Sequence, residues 1–206
     1  MSGNGSLDPS QALRLLAQEL RGEEVIAPHV REPAASPVLG PLVASGPRAV
    51  EAPGEYGLLF EAIREGFLMH YGEPRLVEGA DEDLKLLAGD YLYALGLERL
   101  AARGDTDAVH ELADLISLSA QLHARGGDEA ADRIDLLWLS SAVAVGAGAD
   151  AGHERGKLAL REGAPEGPGL LGGAATQAAE RGGMGAALAD AADSIGLISQ
   201  DYFDLG

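Results

Sequence analysis

Apolar residues recur at steps of three and four along most of the chain, the period of an amphipathic helix. Residues 11–21 place Leu13, Leu16 and Leu20 on one face, with Asp8-Pro9 as the start signal. Residues 55–72 carry Leu59, Ile63, Phe67 and then His70 or Tyr71 at the same spacing, and Gly72 followed by Pro74 stops the run. A helix is predicted over 82–103, opened by Asp81-Glu82-Asp83 and closed by Gly104. Acidic residues suit its start because that end of the helix dipole is positive. Asp105 caps the next helix, over 106–124, with Val109, Leu112, Ile116 and Ala120 as its apolar stripe and Gly126-Gly127 at its end. Residues 128–145 align Ile134, Leu137, Trp138, Ser141 and Val145 along one side. A short helix is predicted over 152–161, and 184–205 place Leu188, Ala191 or Ala192, Ile195, Ile198 and Tyr202 at helical spacing.

Two stretches break the pattern. Six of the ten prolines, at 28, 33, 37, 41, 47 and 53, fall within 27–54, which predicts a linker or an arm laid over the surface. Residues 162–183 hold many of the 29 glycines and predict a loose loop. No run of β-branched and aromatic residues alternates with polar ones, so strands are not expected. The expected fold is an all-α, antiparallel helical bundle, because short links join the long helices. Residues 1–54 form a short helix and Pro-rich arm, 55–161 the bundle core, and 162–206 a Gly-rich loop with a C-terminal amphipathic helix.

Composition narrows the function. A chain of 206 residues with 46 % hydrophobic residues suits one folded domain, and only 4 % aromatic residues leaves the packing to Leu and Ala. The absence of cysteine excludes disulfides, zinc fingers, iron–sulfur ligation and thiol nucleophiles. Net charge is −18, with 33 acidic residues against 15 basic, and Lys85 and Lys157 are the only lysines. Such a surface repels nucleic acid and anionic lipid and favours a basic partner. The apolar stretch 136–149 holds two glycines and two serines and is too short to span a bilayer, so no transmembrane segment is expected. The N-terminus lacks a basic region followed by an apolar run, so a cytoplasmic location is expected.

Catalytic constellations were sought by spacing. His110-Glu111 is followed by Asp114 and His153-Glu154 by Lys157, so neither completes the His-Glu-x-x-His zinc motif. Phe67 and Ala120 stand three residues before His70 and His123, where a di-iron bundle needs glutamate. Each histidine, His29 included, is expected to be a partly exposed polar residue. Nucleophile elbows and phosphate-binding loops are absent from the sequence. Asp128, Glu129 and Asp132 would align three carboxylates on one helical edge, a Mg²⁺ candidate whose plainer explanation is an acidic helix start. Asp190 with Asp193, and Asp201 with Asp204, repeat that spacing.

The segment Leu86-Leu87-Ala88-Gly89-Asp90-Tyr91-Leu92-Tyr93-Ala94 puts a glycine inside a helix, at a propensity cost of about 1 kcal/mol. A close backbone approach or a ligand must compensate. This run resembles the leucine-rich Gly-Asp helix of all-α trans-prenyl diphosphate synthases, which in that family packs near the chain-binding cavity. Ser119-Ala120-Gln121 is similar in position to the family's next helix, and 60–72 resembles the small, non-catalytic subunit of two-component heptaprenyl diphosphate synthases. The resemblance covers about residues 55–145 and implies an isoprenoid-synthase-like bundle with Gly89, Asp90, Tyr91 and Tyr93 as motif or cavity residues. Catalytic members carry two Asp-Asp-x-x-Asp clusters for Mg²⁺ and diphosphate and a basic Gly-Lys-Arg-x-Arg stretch. Here Asp128, Glu129 and Asp132 follow the Gly-Asp helix, where the first cluster should precede it, and the basic stretch is missing.

The resemblance therefore implies an accessory polyprenyl (heptaprenyl-type) diphosphate synthase subunit that completes the product cavity of a catalytic large subunit in menaquinone side-chain synthesis. This chain alone would bind no cofactor, and Mg²⁺ would enter with the assembled complex. Two other readings stay open: a helical adaptor or structural subunit unrelated to prenyl transfer, and a Mg²⁺-dependent isoprenoid enzyme built on Asp128, Glu129 and Asp132.

Overall fold

The structure, a computed structural model, describes residues 7–197. Ile198, Asp201, Tyr202 and Asp204 lie outside the described residues. Within them the chain is all-helical: α1 (Ala12–Leu20), α2 (Leu39–Ala44), α3 (Pro53–Tyr71), α4 (Glu82–Ala102), α5 (Thr106–Arg125), α6 (Ala130–Ala147), α7 (Ala151–Glu162), α8 (Gly167–Gly182) and α9 (Gly185–Ser194). Extended pairing among these residues is confined to one isolated antiparallel bridge, Val30 with Val77. No helix among them is long and apolar enough to cross a membrane.

The predicted start signals operate as side-chain caps. Asp81 accepts from Leu84 N at 2.9 Å and Asp105 from Ala108 N at 3.0 Å, each satisfying a first-turn N–H that has no partner within its helix. Two helices form the centre. Residues Leu58 to Ile63 of α3 and Leu136 to Gly146 of α6 are buried all round, which is why neither helix has a clear polar face. Phe60 meets Trp138 edge to face, with ring centroids 5.8 Å apart. The α1 leucines Leu13, Leu16 and Leu20 are buried, as the stripe predicts, in a second cluster with Leu58 and Met69 of α3 and Leu92 of α4.

Three expectations are corrected. The Pro-rich stretch is not a surface arm throughout: α2 lies within it, and Leu39, Leu42, Val43 and Ala49 join the main core. Pro28, Pro47 and Pro53 stand in the first turn of a helical element, where a missing N–H costs nothing and a fixed φ helps. The Gly-rich loop expected over 162–183 is largely the helix α8. Small residues bring its neighbours close: a Cβ on Gly156 of α7 would lie 2.7 Å from Leu171 Cα of α8. The stripe of α5 is rotated, so that Ala108, Glu111, Leu115, Leu118, Ser119 and Leu122 join Leu112 inside, while Val109, Ile116 and Ala120 are only half-buried.

Two fully buried glutamates of α3 anchor its neighbours, Glu61 both α2 and Arg75, and Glu65 the link that follows α3. Glu61 accepts from Gly40 N of α2 at 2.7 Å and from Arg75 Nη1 at 2.7 Å. Glu65 accepts from Arg75 N, Arg75 Nε and Leu76 N at 2.7–2.8 Å. Both carboxylates are thus paired and hydrogen-bonded, as burial requires.

Candidate functional site

The Gly-Asp segment sits on α4 where it crosses α3. A Cβ on Gly89 would lie 3.1 Å from Gly66 O and 2.6 Å from His70 Nε2, and one on Gly66 would lie 3.0 Å from Gly89 O. Close backbone approach therefore accounts for the mid-helix glycine without a ligand. Asp90 points outward with its side chain 74 % exposed, and its Oδ1 lies 3.2 Å from His70 Nε2 without hydrogen-bond geometry. Tyr91 donates its hydroxyl to Glu23 Oε1 at 3.0 Å. Tyr93 stacks on His70 with centroids 5.2 Å apart, and its buried Oη has no hydrogen-bond partner among the described residues. Burial, with the nearby Tyr71 and Asp90, pushes the Tyr93 hydroxyl well above the usual phenol range.

Asp128, Glu129 and Asp132 do not gather into a cation site. Asp128 and Glu129 lie in the turn before α6, and Asp132 in its first turn; all three are exposed. Glu129 stands at the helix start but makes no side-chain cap; it pairs instead with Arg133 at 2.7 Å. Asp128 and Glu129 border an open cleft of about 350 Å³ that also contains Arg125 and Arg133. Two guanidinium groups beside the carboxylates make a poor setting for Mg²⁺, which needs several free oxygens.

The densest polar cluster was not singled out by spacing. Glu111 of α5, Ser141 of α6, and His153 and Lys157 of α7 converge inside the protein, each less than a tenth exposed. Glu111 Oε1 accepts from Ser141 Oγ at 2.6 Å and lies 2.8 Å from His153 Nε2. Lys157 Nζ reaches three carboxylates: Glu111 at 2.7 Å, Glu154 at 3.0 Å and Asp114 at 3.2 Å. The contact to Glu111 is a hydrogen bond, and those to Glu154 and Asp114 are ion pairs. Arg161 adds a bond to Asp114 at 2.6 Å. Burial pushes the Glu111 carboxyl up, but the hydrogen bond and charge of His153 and the charge of Lys157 outweigh it and hold it down at about 2. Burial likewise opposes the Lys157 charge, yet Glu111, Glu154 and Asp114 raise its pKa.

Among the described residues, Glu111, His153 and Glu154 bring one ligand atom each within 4.8 Å of one another, as a metal site would. Lys157 Nζ already occupies both carboxylates of this group, at 2.7 Å from Glu111 and 3.0 Å from Glu154. A cleft of about 450 Å³ opens onto Glu111 and Glu154 and is also bordered by Arg48, Asp107 and His110. The buried His153 corrects the expectation of a partly exposed histidine. His110 and His123 are exposed, and His29 and His70 half-buried. One signal for this cluster was present in the sequence: His153 and Lys157 stand four residues apart on one helical face, and Lys157 is one of two lysines.

The arrangement suits cohesion better than catalysis. Both Glu111 carboxylate oxygens, Ser141 Oγ, His153 Nε2 and Lys157 Nζ are engaged by one another. In the comparisons with known proteins, no family model, no curated protein and no solved structure matches this chain.

Proposed function

We propose that this chain is the accessory, non-catalytic subunit of a polyprenyl (heptaprenyl-type) diphosphate synthase, with an isoprenoid-synthase-like bundle that completes the product cavity of a catalytic partner. The observation that carries the reading is the reciprocal contact of Gly66 and Gly89. The two segments that carry the resemblance, 60–72 and 86–94, pack directly on one another through it. The scattered carboxylates at 128–132 agree with a chain that leaves diphosphate chemistry to a partner, since gripping diphosphates calls for Mg²⁺ and basic groups.

The test is co-expression with the catalytic prenyl synthase chain of the same genome, followed by isopentenyl incorporation assays on each chain and on the mixture. The lone chain should give no turnover, and its addition should change product length or rate. Turnover by the lone chain overturns the reading. Failure to associate with the synthase, with stable association to an unrelated protein, would favour the helical-adaptor reading instead.

A further inference from the structure

Among the described residues, no element packs on the outer face of α4. The helix buries Ala88, Gly89, Leu92, Gly96 and Leu100 against the bundle. On its opposite side Asp83, Leu87, Asp90, Ala94, Glu98 and Ala101 follow one another at steps of three and four, and all are exposed. Leu87 on this line is 57 % exposed, among the most exposed large apolar residues of the described chain, and Leu86 beside the line is 40 % exposed. The stripe thus alternates acidic and apolar positions along nearly five turns, with no Lys or Arg on it. Arg99 and Arg103, which share the bundle-facing side of the helix, are engaged by Glu19 and Glu55.

We infer that this α4 stripe is a docking surface for a basic amphipathic helix of a partner protein. Such a helix would place an apolar ridge on Leu86, Leu87 and Ala94, and Lys or Arg side chains against Asp83, Asp90 and Glu98. A second copy of this chain is a poor occupant, because it would set three carboxylates against three in a surface contact. Charge complementarity selects the partner's chemistry, and the apolar positions supply the anchor. That the partner is the catalytic prenyl synthase chain rests on the accessory-subunit reading; the surface itself does not.

The experiment has two arms. In the first, the full chain is titrated calorimetrically with a helical peptide of leucine and lysine. Wild type should bind saturably. Leu87→Glu and, separately, Ala94→Glu should weaken binding about tenfold or more, although each adds negative charge, while their thermal melts stay near wild type. Unspecific attraction to an acidic protein predicts the reverse, so equal or tighter binding by both folded variants overturns the proposal, as does a lack of saturable binding by wild type. In the second arm the same variants are co-expressed with the catalytic chain. A complex unaffected by either variant removes the surface while sparing the accessory-subunit reading. Peptide binding that depends on Leu87 and Ala94, without any synthase complex, keeps the surface and removes that reading.

Discussion

Gly66 of α3 and Gly89 of α4 face each other so closely that a methyl group on either would meet the other's carbonyl oxygen at 3.0–3.1 Å. The crossing depends on both residues lacking a side chain, and it sets how far α4 stands from the bundle centre.

Gly89→Ala should therefore destabilise the protein by about 1–3 kcal/mol, the usual range for overpacking, despite the better helix propensity of alanine. The added methyl meets His70, whose ring is held by its stack on Tyr93. Gly173→Ala on α8 is the control: a Cβ there has open space, so stability should rise by about 0.5–1 kcal/mol. Urea denaturation of the two variants gives both signs, and a stabilised Gly89→Ala would contradict the close crossing.

Lys157→Met should cost about 3–5 kcal/mol, because it leaves the buried Glu111 carboxylate without its cation. Lys157→Ala opens the same position. Zn²⁺ should then raise the melting temperature of that variant through Glu111, His153 and Glu154, and leave wild type unchanged. Calorimetric melts with and without Zn²⁺ check it; a wild-type shift of equal size would mean that Lys157 does not exclude the ion.

The pH dependence follows from Glu111. Its pKa is about 2 in the folded protein against the ordinary 4.5, so its charged form is favoured by folding. Its contribution is present in full above pH 4.5 and is lost as pH falls toward 2. Asp105 and Asp150, also lowered, act with the same sign. Melting temperature should fall on acidification through this window, and less steeply in Glu111→Gln. Equal slopes would show that the cluster does not contribute to acid sensitivity.

Tyr91 and Tyr93 should respond oppositely to loss of the hydroxyl. Tyr91→Phe removes a bond to Glu23 and should cost about 0.5–1.5 kcal/mol. Tyr93→Phe removes a buried Oη that has no partner among the described residues, and should be neutral or stabilising. A large loss at Tyr93 would point to a polar contact made by that hydroxyl beyond the described residues.

Helix existence was legible because each long helix announces its ends. Asp81 and Asp105 are caps whatever the helix packs against, and Leu13, Leu16 and Leu20 can bury only one face. The segments 39–44 and 167–182 were misread for the same reason in two forms. Proline and glycine weaken local helix preference, and only packing against α3, α6 and α7 supplies the compensation. The α5 stripe was misplaced by one position because Glu111 is polar and yet buried, a choice that makes sense only with Lys157 and His153 beside it.

By itself the sequence determined the class of the fold, the limits of its long helices, the exclusion of cysteine chemistry and the acidic surface, because these follow from local periodicity, capping and composition. Tertiary structure decided that Glu111, Ser141, His153 and Lys157 share one site, that Gly89 faces a backbone and that Asp90 and Leu87 face solvent. Residues thirty to forty-six positions apart meet only through the way helices pack, and which side of a nearly all-apolar helix turns inward is set by its neighbours.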